Sequence, residues 1–192
     1  MSDHLDEILS VRMPKGKKAL KFLKQAYSSG IEILVNRSIT DKLIVESGHS
    51  FQIGTDDPQM RRIASWILTN HQNRVGDLVK RLWKRNGRED VKLAGLLIAN
   101  TEGDAWSKFL NLIRNREPVE VILEVVEEIK RSGREIPSAE ILEKWCAQSM
   151  IHHQAAMLIA SLSPNDEYSK LIQSAPKGGE LFERIRMRAL DA

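Results

Sequence analysis

Four tryptophans, Trp66, Trp83, Trp106 and Trp145, are spread along the 192 residues, and an aspartate, Asp104, stands two positions before the third. An aromatic face attracts a cation, and a carboxylate stabilises positive charge as it develops. Together these residue types could hold and act on a cationic group. Each also has a purely structural reading. Tryptophan packs between helices when its neighbours are apolar, as those of Trp83 are. Asp104 follows Gly103 and precedes Ala105-Trp106, the position of a helix N-cap, so it is a cap first and only a weak catalytic candidate second.

The remaining reactive residue types offer less. Ile151, Ala155, Leu158, Ile159 and Leu162 define one face of a helix, with His152 at its edge and His153 nearly opposite. Adjacent histidines do not share a face, and no His or Cys stands four positions away, so no metal is expected. His153 is a candidate phosphate contact or a plain surface residue. Cys146 is the lone cysteine and reads as a small buried side chain. Pro176-Lys177-Gly178-Gly179 lacks the spacing of a phosphate cradle, and no cofactor is expected.

Charge is sorted along the chain more sharply than the net +3 implies. From Pro58 to Lys92 nine basic residues face three acidic ones; from Glu117 to Glu143 eight glutamates face Lys130, Arg131 and Arg134. Phosphate binding follows local cation density, so a polyanion would sit on the middle of the chain, on Arg81, Lys84, Arg85, Arg88 and Lys92. The bland alternative is two ordinary solvated helix faces. An earlier basic segment, with Lys15, Lys17, Lys18, Lys21 and Lys24 beside Leu20, Leu23 and Tyr27, reads as a solubilising face in preference to a binding surface.

These residues need helices to position them, and helix signals alternate with breakers throughout. Asp57-Pro58 opens a helix to about Asn70, another runs from Asn73 to Arg85, and Asn86-Gly87 stops it. Arg88 to Asn100 and Asp104 to Arg114 form the next pair. Pro118, Gly133, Pro137-Ser138, Ser163-Pro164 and Gly178-Gly179 punctuate the rest. In Val91 to Ala99 apolar residues occupy two opposite faces, as in a helix packed on both sides. The module recurs: Val75 to Ala99 aligns without a gap on the stretch ending at Ser161, with Trp83 over Trp145 and Ala94 over Ala156, the signature of stacked helical repeats. The β-branched runs Ile31 to Val35 and Leu43 to Val45 are too short to establish strands.

The segment Leu82-Trp83, Arg88-Glu89, Val91 and Ala94 resembles the Leu-Trp, Arg-Glu, aliphatic, Ala pattern of the DNA alkylation repair family, HEAT-like glycosylases that release alkylated bases. Trp145, Gln148-Ser149 and Ala155-Ala156 resemble the same family's second motif. Together they cover about half the chain. Where that family carries paired arginines this chain has His152-His153-Gln154, and Asp104-Ala105-Trp106 inverts its Trp-Asp order. The resemblance implies an all-α, HEAT-like right-handed α-solenoid of antiparallel helix pairs, and contact with duplex DNA. The expected layout is an N-terminal helical segment, 1–55, to which the sequence assigns no role, in a single compact unit with HEAT-like repeats over 56–192. Trp83, Trp106 and Trp145 would supply either aromatic surface or packing. The competing expectation is a non-catalytic scaffold for a protein partner, a common use of helical repeats. An acidic start and the lack of a long apolar run predict a cytoplasmic protein without a membrane span.

Overall fold

The computed structural model describes residues 3–29, 49–114 and 117–192. Its regular elements are helices: α1 (His4–Leu9), α2 (Lys17–Ser28), α3 (Asp57–Asn70), α4 (Val75–Arg85), α5 (Arg88–Ala99), α6 (Ala105–Leu110), α7 (Val119–Arg131), α8 (Ala139–Cys146), α9 (Met150–Ala160), α10 (Asp166–Ser174) and α11 (Glu180–Leu190), with a 3-10 turn at Gln72–Arg74. Among the described residues the protein is all-α, as expected. The runs Ile31 to Val35 and Leu43 to Val45 lie outside the described residues. Two compact units form, residues 1–97 and 98–192, and the division falls in the last turn of α5.

In the first unit the N-terminal residues are fastened to residues 55–74 by buried and half-buried polar bonds. The Gln59 amide donates to the Ala26 carbonyl at 2.8 Å, the Thr55 hydroxyl to the Tyr27 carbonyl at 3.0 Å, and Arg74 to the Met13 carbonyl at 2.8 Å. Residues 50 and 51 pair with the turn after α4, Ser50 N–H donating to Asn86 O at 2.7 Å and Arg88 N–H to Phe51 O at 2.9 Å. That turn depends on two residue types. Asn86 ends α4 in the left-handed region at φ 56°, which asparagine tolerates better than most side chains. Gly87 lies under the Phe51 ring so closely that a Cβ there would stand 2.0 Å from Phe51 Cζ.

Periodicity decides what each helix buries. α4 buries Val75, Leu78, Val79, Leu82 and Trp83, the stripe that its sequence predicts. α3 begins at its cap Asp56, which accepts from the Gln59 N–H at 2.8 Å, and Pro58 sits in the first turn, where its missing N–H costs nothing. In α5 Val91, Leu93, Ala94, Leu96 and Leu97 are all buried, covering both faces as expected.

The second unit is built around α9. Ile151 and residues 154–160 are buried, and α7, α8, α10 and α11 all pack against this helix. Ala155, Ala156 and Ala160 let neighbouring helices approach closely. Arg134 ties the preceding loop by donating to the carbonyls of Ala99, Thr101 and Gly103 at 3.2, 2.8 and 3.3 Å. No helix among the described residues is long and apolar enough to cross a membrane.

Candidate nucleic-acid interface

The basic residues that sequence places on one surface fall into two classes. Arg85 is turned inward. Its Nε and Nη2 donate to the two oxygens of Asp90 at 2.5 Å each, and Nη1 donates to the Leu20 carbonyl at 2.6 Å. Asp90 is fully buried and also accepts the Tyr27 hydroxyl at 3.0 Å. Burial raises the Asp90 carboxyl above its usual value against the pull of Arg85 and Tyr27, and burial, followed by the Asp90 charge, raises the Tyr27 phenol well above 10.0. This network joins α2, α4 and α5, and it occupies the guanidinium edge that a phosphate would need.

Arg81, Lys92 and Arg88 are also engaged, though less deeply. Arg81 pairs with Asp77 at 2.7 Å across one helical turn, Lys92 with Asp57 at 3.1 Å, and Arg88 approaches Glu89 at 3.7 Å. Lys92 is only 15% exposed, whereas Arg81 and Arg88 are each 40% exposed and their pairs are of the weak surface kind. Lys84 is also exposed, and it alone of this group makes no ion pair among the described residues. His153 belongs to the second unit, half-buried, with Nε2 3.3 Å from the Leu171 carbonyl. The structure therefore does not gather the six expected contacts into one set of open cations.

A different row of cations does present itself. Lys15, Lys17, Lys18, Lys21 and Lys24 are all exposed, and none forms an ion pair among the described residues. Lys17, Lys21 and Lys24 repeat at intervals of four and three, so they form one stripe opposite the buried Ala19, Leu23 and Ala26. Lys24 Nζ stands 4.8 Å from the Phe51 ring centroid, and the Arg85 guanidinium carbon stands 5.2 Å from the same centroid. The acids at the start of α1 have partners of their own: Asp3 and Asp6 each receive Arg62 at 2.6 Å, and Glu7 lies 3.3 Å from His4. The Arg85 bond to Leu20 O also brings the end of α4 against α2. The available sequence signal is that residues 11–29 hold six cations and no carboxylate.

The aromatic and acidic candidates have structural roles. Trp83 is buried, and so is Trp106, whose indole N–H donates to the Glu135 carbonyl at 2.7 Å. Trp66 stacks on Phe22 at 5.7 Å and meets His71 edge-on at 4.8 Å. Trp145 is half-exposed. Asp104 caps α6, accepting the N–H of Trp106 at 3.0 Å and of Ser107 at 3.1 Å and the Ser107 hydroxyl at 2.5 Å. Although burial opposes it, that set of bonds holds the carboxyl below its usual value.

In the second unit Cys146 is half-buried; burial pushes its thiol up to about 11, the opposite of an activated nucleophile. His152 Nδ1 lies 2.8 Å from the hydroxyl of Ser149, which caps α9. Among the described residues no group of three His, Cys, Asp or Glu side chains converges as metal ligands would. Comparison of the chain with protein-family models, with curated proteins and with solved structures finds no match, so function is inferred from this geometry.

Proposed function

We propose that this chain binds duplex DNA and that the lysine ridge of α2, extended by Lys84, is the phosphate-contacting surface. The observation that carries this reading is the run of five exposed lysines without ion-pair partners among the described residues. A free ammonium gives up only hydration and counterions when it meets a phosphate, whereas Arg85 would first have to leave a buried carboxylate. Among the contacts expected from sequence, Lys84 keeps its role, and Arg81 and Arg88 are secondary. The finer fold belongs to the same proposal: successive helices joined by short turns, with Trp83 and Trp145 aligned in sequence, support a HEAT-like solenoid related to the alkylpurine glycosylases. Catalysis by Asp104 is not part of it, because the carboxylate is spent on the α6 cap.

The test is fluorescence anisotropy with duplex DNA, with and without an abasic-site analogue, over a salt series. Phosphate contacts by the stripe Lys17, Lys21 and Lys24 and by Lys84 predict a slope of log affinity against log salt of about −3.6, from ~0.9 per phosphate. A preference for the abasic duplex would favour repair and call for a base-release assay. Absence of binding at low salt would refute the DNA reading.

One observation favours the alternative, a protein-binding scaffold. In the second unit Ile141 and Met150 are 43% and 57% exposed, and Trp145 is half-exposed between them in sequence. Exposed apolar side chains with an aromatic among them are the composition of a protein contact. Loss of partner capture in Ile141→Ser/Met150→Ser, with DNA binding absent in the parent, would establish that reading.

A further inference from the structure

The first unit also carries a small polar pocket that the lysine ridge does not use. Glu89, in the first turn of α5, has a side chain only 1% exposed. Its Oε1 accepts two backbone N–H groups, from Ile53 at 3.0 Å and Gly54 at 2.8 Å. Its Oε2 is buried and has no hydrogen-bond donor among the described residues. A buried carboxylate oxygen is a costly group to leave without a donor, and such sites are where ligands complete the set. Glu89 lines a pocket of about 210 Å³ together with Gly54, Asp57, Met60, Arg88 and Lys92.

The chemistry of the walls narrows the occupant. The lining holds three carboxylates, Asp56, Asp57 and Glu89, and two cations, Arg88 and Lys92; Asp57 bonds to Lys92 at 3.1 Å and to Arg61, outside the lining, at 2.7 Å. With Asp57 compensated by two cations and Asp56 committed to the α3 cap, little net charge is left for the guest, which favours a neutral molecule over an anion or a metal ion. The Arg88 guanidinium stands 3.7 Å from Glu89 Oε1, so a cationic donor and a carboxylate acceptor lie side by side. Their complement is an N–H donor next to an acceptor. Drug-sized sites begin near ~300 Å³, so this one fits a single ring system. Met60, almost fully buried at the wall, offers a polarizable thioether to a flat ring.

We propose that this pocket takes one nucleobase by its hydrogen-bonding edge. Glu89 Oε2 accepts the base N–H, and Arg88 donates to the neighbouring carbonyl or ring nitrogen. The proposal rests on the nucleic-acid reading for the source of the base, an unpaired or extruded nucleotide, but not for the pocket's chemistry.

The experiment is an amide NMR titration of the full chain with cytidine, uridine, adenosine and guanosine separately. Saturable shifts at Gly54, Thr55 and Glu89 with at least one nucleoside are expected. Glu89→Gln keeps an acceptor for the two backbone N–H groups but turns a donor toward the base, and it should weaken binding at least tenfold. If that variant does not fold, Arg88→Ala, at a partly exposed position, should weaken binding several-fold. No saturable shift with any nucleoside at millimolar concentration overturns the proposal, as does unchanged binding in the folded variants. Lys21→Glu/Lys24→Glu separates the two readings. It should lose duplex affinity and keep the nucleoside shifts; duplex binding in a parent without nucleoside shifts would remove the pocket alone.

Discussion

Replacing Arg85 with alanine would strand the Asp90 carboxylate, which has 0% exposure and receives two of its three side-chain hydrogen bonds from that guanidinium. Breaking a buried pair by removing one partner costs about 3–5 kcal/mol. Arg85 retains 21% exposure, so water reaches the vacated side and the low end, about 3 kcal/mol, applies. In a domain of 60–100 residues each kcal/mol lowers Tm by about 4–8 °C, giving a fall of about 12–24 °C for the first unit. Differential scanning calorimetry of Arg85→Ala, Asp90→Asn and the double variant measures it. Asp90→Asn removes the charge that needs compensation, so the double variant should be more stable than Arg85→Ala. An Arg85→Ala protein melting within about 2 °C of the parent, a change of less than ~0.5 kcal/mol, would refute the assignment of Arg85 to the interior. The same substitution on a phosphate-binding arginine would change affinity and leave Tm almost untouched.

Three further outcomes are expected. Lys21→Glu/Lys24→Glu should reduce the salt slope of duplex binding by about 1.8, at ~0.9 per contact, and change stability by less than ~0.5 kcal/mol; an unchanged slope would exclude α2 from the interface. His71 accepts the Met13 N–H through Nε2 at 3.4 Å, and burial, then Arg74 and Arg12, hold its pKa below 6.5. A histidine depressed in this way contributes stability that is complete above the unfolded value of 6.5 and is lost as pH falls from there toward the folded value. The parent should therefore melt lower at pH 5.5 than at 7.5, and His71→Gln should show a smaller difference; an equal difference would assign the effect elsewhere. With its thiol near 11 in place of 9.0, Cys146 should carry about a hundredfold less thiolate at neutral pH than an ordinary cysteine, and iodoacetamide should alkylate it correspondingly slowly until the chain unfolds. Rapid alkylation at pH 7 would contradict its half-buried placement.

Helix periods and caps are legible in the sequence because they depend on near neighbours along the chain. The α4 stripe, the two-sided burial of α5, the Asn86-Gly87 stop and the Asp104 cap all follow from side-chain spacing or from backbone groups within a few residues. Long-range pairing is not legible in the same way. Arg85 reads as a solvent-facing cation by helical position, yet the turn at 86–87 brings Asp90 back onto it, and α2, 65 residues earlier, supplies a carbonyl. The lysines of α2 read as a solubilising face because periodicity marks a polar side without saying whether carboxylates neutralise it; the structure sends Asp3 and Asp6 to Arg62 instead. Glu89 is hidden for a related reason. Its partners are main-chain N–H groups of residues 53 and 54, and a backbone donor leaves no trace in residue identity.

The enclosure of α9 by four other helices has a kinetic consequence. Its 11 residues are too few to hold a stable isolated helix in water, so α9 depends on its surroundings for persistence. Solvent can reach its backbone amides only when that surrounding packing parts, whereas α11, with Met187 and Leu190 at 54% and 41% exposure, can fray turn by turn. Hydrogen exchange along α9 should thus run at one common, slow rate set by opening of the whole second unit, while α11 shows a gradient toward the C-terminus.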